Sequence, residues 1–548
     1  MEGTLHVLRA GCDMINQLAN HRIIYFLILM PVYLLIIIQV SCQADKTAEK
    51  KGGTVVIGMR GDFDSFNELN ASDSDALQVI NNMLFMRLTR LDENFEIVPH
   101  LARSWEFSEN HTILTYHLRD DVTWTDGNGT TAEDVLFTFE MAVHPKVAYP
   151  AASRFDLTER VEVIDPYTIR FYFKKAYPDA LFDTQIPILP KHIFKDIPPE
   201  KISQSAFNRN PIGNGPFRMV EWMANRHVIF EFNAQFALGR PPIDRVIFSI
   251  IPDESVLATN LITATIDIAP SLSSQDYKRI QTIESLQGLR YDGRGYTFIA
   301  WNQARSLFTK GVCRALTHAI DKNEIIATLL EGFGKSAKGP LLPFVWAYDE
   351  NLEDLQFDPT LSGSMLKDEG WEDTDGDGFL DRGNKKFEFT IKTNTGSQLR
   401  KDVAVMIQAQ LKNIGIKANV QIVEFNLLLD QVFGDKDFDA FVSTWEADFT
   451  VNPTDLFHSK AILNGYNFVS YRNPKIDTLL EKGRAISNQR KAKACWDEFQ
   501  KIIIEDCPYT FLFITDKLAG FNKKVEGVKM DARGFLTNIW EWQIHQGE

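Results

Sequence analysis

The stretch best equipped for chemistry lies late in the chain, at Thr444-Trp-Glu-Ala-Asp-Phe-Thr-Val-Asn-Pro453. A carboxylate in a water-excluding cleft can compensate a buried ammonium, whose desolvation would otherwise forbid binding. Side-chain alternation after Trp445 favours Asp448 over Glu446 for that role. The competing reading is a solvated acidic loop. A second acidic run, Asp373-Thr-Asp-Gly-Asp-Gly-Phe-Leu-Asp381, spaces oxygen ligands as a calcium loop does. Its twelfth position is Asn384 rather than a bidentate Glu, and residues 387–392 alternate as a strand. A hydrophilic turn is therefore preferred, with Asp373, Asp375, Asp377 and Asp381 as the only metal candidates and no cofactor expected. There is no G-x-S-x-G elbow, no HExxH and no matched nucleophile and base, which leaves an extracellular hydrolase as the least favoured class. Pro211-Ile-Gly-Asn-Gly-Pro-Phe217 is not followed by Lys-Ser/Thr, so it reads as a close backbone approach and not a phosphate loop.

These groups need a scaffold, and 548 residues exceed what one core usually supports, so two or more lobes are expected. The net charge of −15 disfavours nucleic acid and mildly favours cationic or amine-bearing ligands. Residues 23–40 are apolar, preceded by His21-Arg22 and followed by Ser41-Cys42. That order reads as a secretory signal, with Cys42 as a lipidation site. Gln39 departs from the Leu such signals prefer, and the run is long enough to remain as an uncleaved anchor. Either way the folded body lies outside the cytoplasm, behind a polar tether at residues 43–53. Cys495 and Cys507 would be held about 18 Å apart by a continuous helix, and Cys313 is expected reduced in a core.

Leu114, Tyr116 and Leu118 alternate with polar residues as a half-buried strand. The turn Asp126-Gly-Asn-Gly129 follows, and then a helix capped by Thr130 with Glu133 or by Thr131 with Asp134. Further helices are expected over residues 75–91, 312–325, 399–414 (ended by Gly415) and 490–505. Asp62 and Asp64 fit either turn chemistry or a cleft lining.

Several of these pieces carry a resemblance. Leu101-Ala-Arg-Ser-Trp105, Tyr116-His-Leu-Arg119, Trp124-Thr-Asp-Gly127 and Thr131-Ala-Glu-Asp-Val135 are similar to the signature of the family 5 extracellular solute-binding proteins. These are the dipeptide- and oligopeptide-binding partners of ABC importers. Pro211–Phe217, the LPKH turn ending at His192 and Asn467-Phe-Val-Ser-Tyr-Arg-Asn-Pro474 extend the likeness over about residues 53–542. It implies an α/β, bilobed periplasmic-binding-protein-like fold of the class II type, with an inserted lobe and a hinge-linked cleft. The lobes implied are residues 54–91 with 208–292 and 515–548, an insertion at 92–207, and a third lobe at 293–514. Hinges are expected near Asp292-Gly293 and Phe513-Ile514-Thr515.

The resemblance also implies a function: a monomer that captures a peptide, or another small amphoteric solute, and delivers it to an ABC permease. A metal chelate, an oligosaccharide, an opine-like compound or a sensory role are the alternatives. Trp445-x-x-Asp448 resembles the peptide binders' loop, in which the Asp receives the ligand's α-ammonium. Trp445, Tyr296, Trp301 and Phe66 are candidate pocket walls, with Asp64 beside them. Dipeptide binders place a carboxylate-reading Arg before the helix that here begins near residue 399. Residues 393–397 contain none, which argues for longer peptides. The signature stretch at residues 99–143 is expected to touch no ligand.

Overall fold

The protein is described here by a computed structural model covering residues 52–545. Cys42, the apolar segment 23–40 and most of the tether lie outside the described residues.

Two sheets organise the chain. The larger runs, edge to edge, through Lys417–Val423, Glu388–Asn394, Ala440–Glu446, Leu286–Trp301, Tyr509–Asn522, Ile268–Ala269, Thr54–Met59, Arg245–Ile250, His227–Phe232 and Phe217–Met223. Gly334–Ser336 adds a short strand against Tyr509–Asn522. The smaller sheet orders Ala102–Phe107, Ile113–Leu118, Thr168–Phe173 and Thr158–Asp165, all antiparallel. This mixed α/β order, with one sheet carried across two long strands, fits the bilobed fold that the resemblance implies.

Leu286–Trp301 and Tyr509–Asn522 are the two long strands that join the halves of the larger sheet. Their antiparallel register slips between the Asp292/Asp516 and Tyr296/Ile514 pairs. Such irregularities bend and twist a strand locally, and this one falls where the chain passes from one half to the other. Arg290 pairs with Asp516, and Lys335 with Asp292, across the slip.

Local signals explain most elements. The helix Ala132–Ala142 starts at a reciprocal Thr131/Asp134 box, in which Asp134 Oδ2 accepts the Thr131 N–H at 2.8 Å. Gln398–Lys412 ends at Gly415, whose φ of +80° suits a residue without Cβ. Gln489–Asp506 is continuous, with Cys495 and Cys507 both free and Cys313 buried.

Two expected helices differ. The one expected over residues 312–325 is two helices, Lys310–His318 and Lys322–Leu329, because Asp321 caps the second by accepting the Glu324 N–H at 3.0 Å. The one expected over residues 75–91 stops much earlier. Ser74–Val79 is α-helical, Ile80–Leu84 is a wider π-type turn, and the chain is then extended to the short strand Thr89–Leu91.

Candidate ligand cavity

The early stop at Leu84 shapes one side of a cavity of about 910 Å³. The Leu84 carbonyl accepts from the Asn214 N–H at 3.0 Å and the Gly215 N–H at 2.8 Å, while Asn214 Oδ1 takes the Met86 N–H at 2.8 Å. The helix end is thus satisfied by a segment distant in sequence. A Cβ on Gly213 would lie 2.1 Å from the Leu84 oxygen, and one on Gly215 2.6 Å from the Met83 oxygen. The glycine pair therefore serves a backbone-to-backbone crossing. Beyond it, the extended residues 85–91 carry Arg87 and Arg90 into the cavity wall.

The next wall comes from residues 149–185. Tyr149 donates its hydroxyl hydrogen to Glu68 Oε1 at 2.8 Å, and burial raises the Glu68 pKa. One short helical turn, Ala180–Asp183, sets Asp179 and Asp183 close together. Burial pushes Asp183 up to about 6, an effect the Asp448 carboxylate adds to and Arg154 opposes. Burial and the neighbouring Asp183 push Asp179 up to about 7. Burial alone would lower Arg154, but Tyr149, Asp183, Asp448 and Glu68 together raise it.

Opposite stands the loop after the strand Ala440–Glu446. Asp448 is exposed and lines the cavity, with its Oδ1 accepting the Phe449 N–H at 2.8 Å. Phe449 stacks on Phe95 at 6.0 Å between ring centroids, packs on Phe344 at 4.9 Å and reaches Phe182 at 6.1 Å. The Arg294 guanidinium lies 5.6 Å from the Phe449 ring centroid. Aromatic contact thus joins the two walls, and the ionisable groups of both line one cavity.

Of the six ligand candidates read from the sequence, the cavity wall includes Asp448 alone. Trp445 is half-buried and packs on Tyr466 at 5.8 Å. Tyr296 is buried against Phe298 and Phe511. Trp301 is fully buried, its indole N–H donating to Thr510 Oγ1 at 3.1 Å. Phe66 is fully buried against Phe63, Trp222 and Phe230. Core neighbours pack around Tyr296, Trp301 and Phe66, and none of the four aromatics lines this cavity. Asp64 accepts the N–H groups of Ser65, Ser72 and Asp73 and the Ser72 hydroxyl, and these bonds hold a turn and lower its pKa.

The acidic turn is organised internally. Asp373, Asp375 and Asp377 bring exposed carboxylates near one another, but the Lys386 ammonium sits 2.6 Å from both Asp375 and Asp377. Asp381 is buried, accepting the Thr374 hydroxyl at 2.6 Å and the Thr374 N–H at 3.0 Å. Lys386 thus neutralises two of the three clustered carboxylates, and Asp381 lies outside the cluster. His192 is likewise engaged, 2.7 Å from the Asp126 carboxylate. Of the signature stretch 99–143, only His100 lines the cavity.

Residues 96–463 match the model of the bacterial extracellular solute-binding proteins, family 5 (middle). The chain belongs to this family. The oligopeptide-binding protein AppA of Bacillus subtilis (strain 168) is 34% identical over 92% of this chain and 94% of its own. The solved structure of that AppA with a nonapeptide matches at a TM-score of 0.72 and 32% identity, covering 91% of this chain and all of that one. NikZ from Campylobacter jejuni, solved with Ni(L-His), matches at a TM-score of 0.72 and 29% identity over 89% and 99% of the two chains. Family membership places the chain among extracytoplasmic substrate-binding proteins. No helix among the described residues is long and apolar enough to cross a membrane.

Sequence reasoning missed Glu68, Arg87, Arg154, Asp179, Asp183 and Phe449. Asp179 and Asp183, four apart after Tyr177-Pro178, were visible as a pair, but nothing local marks them as buried.

Proposed function

We propose that this protein captures a peptide with a free amino terminus in the 910 Å³ cavity and delivers it to an ABC permease. The observation that carries this reading is the placement of Asp448 on the cavity wall with Asp183 and Asp179 lining the same cavity. An α-ammonium leaving water needs such compensation, and a cluster of carboxylates supplies it without a dedicated ion pair. The relative solved with a nonapeptide supports a peptide as cargo.

In this reading the protein is a monomeric binder and has no catalytic role. Its lobes divide at 54–91 with 208–292 and 515–548, at 92–207, and at 293–514. Closure pivots at the register slip near Asp292 and brings the Phe449 loop against Phe182. The body is held outside the cytoplasm through Cys42 or through the segment 23–40. Native mass spectrometry of protein purified without denaturation tests the cargo: bound peptides are expected. A bound sugar or a metal chelate in their place overturns the peptide reading.

A further inference from the structure

We propose that Arg87 and Arg90, together with Gln185, form a second subsite of this cavity, which takes a carboxylate of the ligand. The inference rests on the peptide reading above and deepens it. All three side chains line the cavity. Gln185 is only 2% exposed, and its amide nitrogen, like Arg87 Nε, is buried without a hydrogen-bond partner among the described residues. Buried donors of this kind are costly unless something completes them. Neither guanidinium forms an ion pair among the described residues; Arg90 instead lies over the Trp540 ring at 5.2 Å from its centroid.

Both guanidiniums feel charge of both signs. Arg87 is lowered to about 10 by burial, with Glu68 and Tyr149 opposing the fall and Arg154 and Arg90 adding to it, so it stays charged at neutral pH. Burial also lowers Arg90, with Glu541 and Asp92 acting against Arg533. Glu68 already accepts from Tyr149, and burial shifts it toward its neutral form. His100 adds no charge: its Nδ1 accepts the Arg87 N–H at 3.2 Å, and burial holds its pKa near 3.

An anion with two acceptor oxygens fits this set, because a guanidinium fork presents paired donors to a carboxylate and the Gln185 amide nitrogen can add one more. Arg400, the first arginine after residues 393–397, does not line the cavity and reaches Ser443 Oγ at 3.4 Å. The proposed carboxylate reader is thus drawn from Arg87, Arg90 and Gln185 and not from the residues around Arg400. Arg154, which also lines the cavity, is influenced by Asp183, Asp448 and Glu68.

Three libraries of random hexapeptides with free amino termini test the assignment. One has no carboxylate (amidated, without Asp or Glu), one has only the terminal carboxylate, and one has only side-chain carboxylates. Retention is read by mass spectrometry after gel filtration with the wild type, Arg87→Gln and Arg90→Gln. One carboxylate library should be held about tenfold better than the carboxylate-free one, and which one identifies the source. That preference should vanish in Arg87→Gln. Should Arg87→Gln fail to fold by circular dichroism, the partly exposed Arg90→Gln reads the same difference. Equal retention of all three libraries by the wild type, or a preference that survives in both variants, overturns the subsite. If the wild type retains no peptide at all, the peptide reading itself fails first.

Discussion

The two walls of the cavity hold their acids in opposite ways. Asp448 stands exposed on a loop and accepts one backbone N–H. Asp179 and Asp183 sit on a helical turn where burial raises both, to about 7 and about 6. One wall leaves its acid in solvent, and the other buries two acids whose charge becomes available as protons leave. Desolvation makes that difference, since the residue type is the same. The pairing suits a binder: a cationic ligand that displaces protons from the buried pair gains there what the exposed Asp448 alone does not supply.

The largest expected effect tests the exposed wall. Asp448→Ala should weaken binding of a free-amine peptide at least about tenfold, about 1.4 kcal/mol, by isothermal calorimetry. Asp183→Asn should cost less, about fivefold near pH 7.5, because Asp448 remains. The comparison fails if Asp183→Asn is the more damaging of the two.

The pH dependence sharpens the contrast. Binding needs the carboxylates ionised, and those of Asp179 and Asp183 titrate near 7 and 6, so peptide affinity should climb from about pH 5 to about 7.5 with proton release. It should fall again as the peptide's own amine, near pKa 7.7–8.0, loses its proton. Asp183→Asn should flatten the climb, and an affinity that falls between pH 5 and 7 contradicts the sign. The smallest effect belongs to Trp445→Ala. Its ring packs on Tyr466 outside the cavity wall, so the affinity should change less than about twofold.

How legible each wall was in the sequence follows from where its determinants lie. The Thr131/Asp134 cap, Gly415 and the alternating strand Ile113–Leu118 depend on residues a few positions apart, and the chain displays them directly. The loop bearing Asp448 belonged to a recognisable motif. The helix stop at Leu84 depends on Asn214 and Gly215, far along the chain. Helical periodicity therefore ran on through Arg87 and Arg90 and hid them. Aromatic type did not separate Phe66, Tyr296 and Trp301, which are core, from Phe182 and Phe449, which face the cavity. Only the tertiary packing decides which ring faces stay uncovered.

The most direct test of the central claim is a calorimetric cycle. One peptide, with its amino terminus free or acetylated, is titrated into the wild type and Asp448→Ala. The account predicts that acetylation and the substitution each weaken binding about tenfold or more, and that together they cost little more than either alone. Fully additive losses would place the ammonium away from Asp448 and contradict the account.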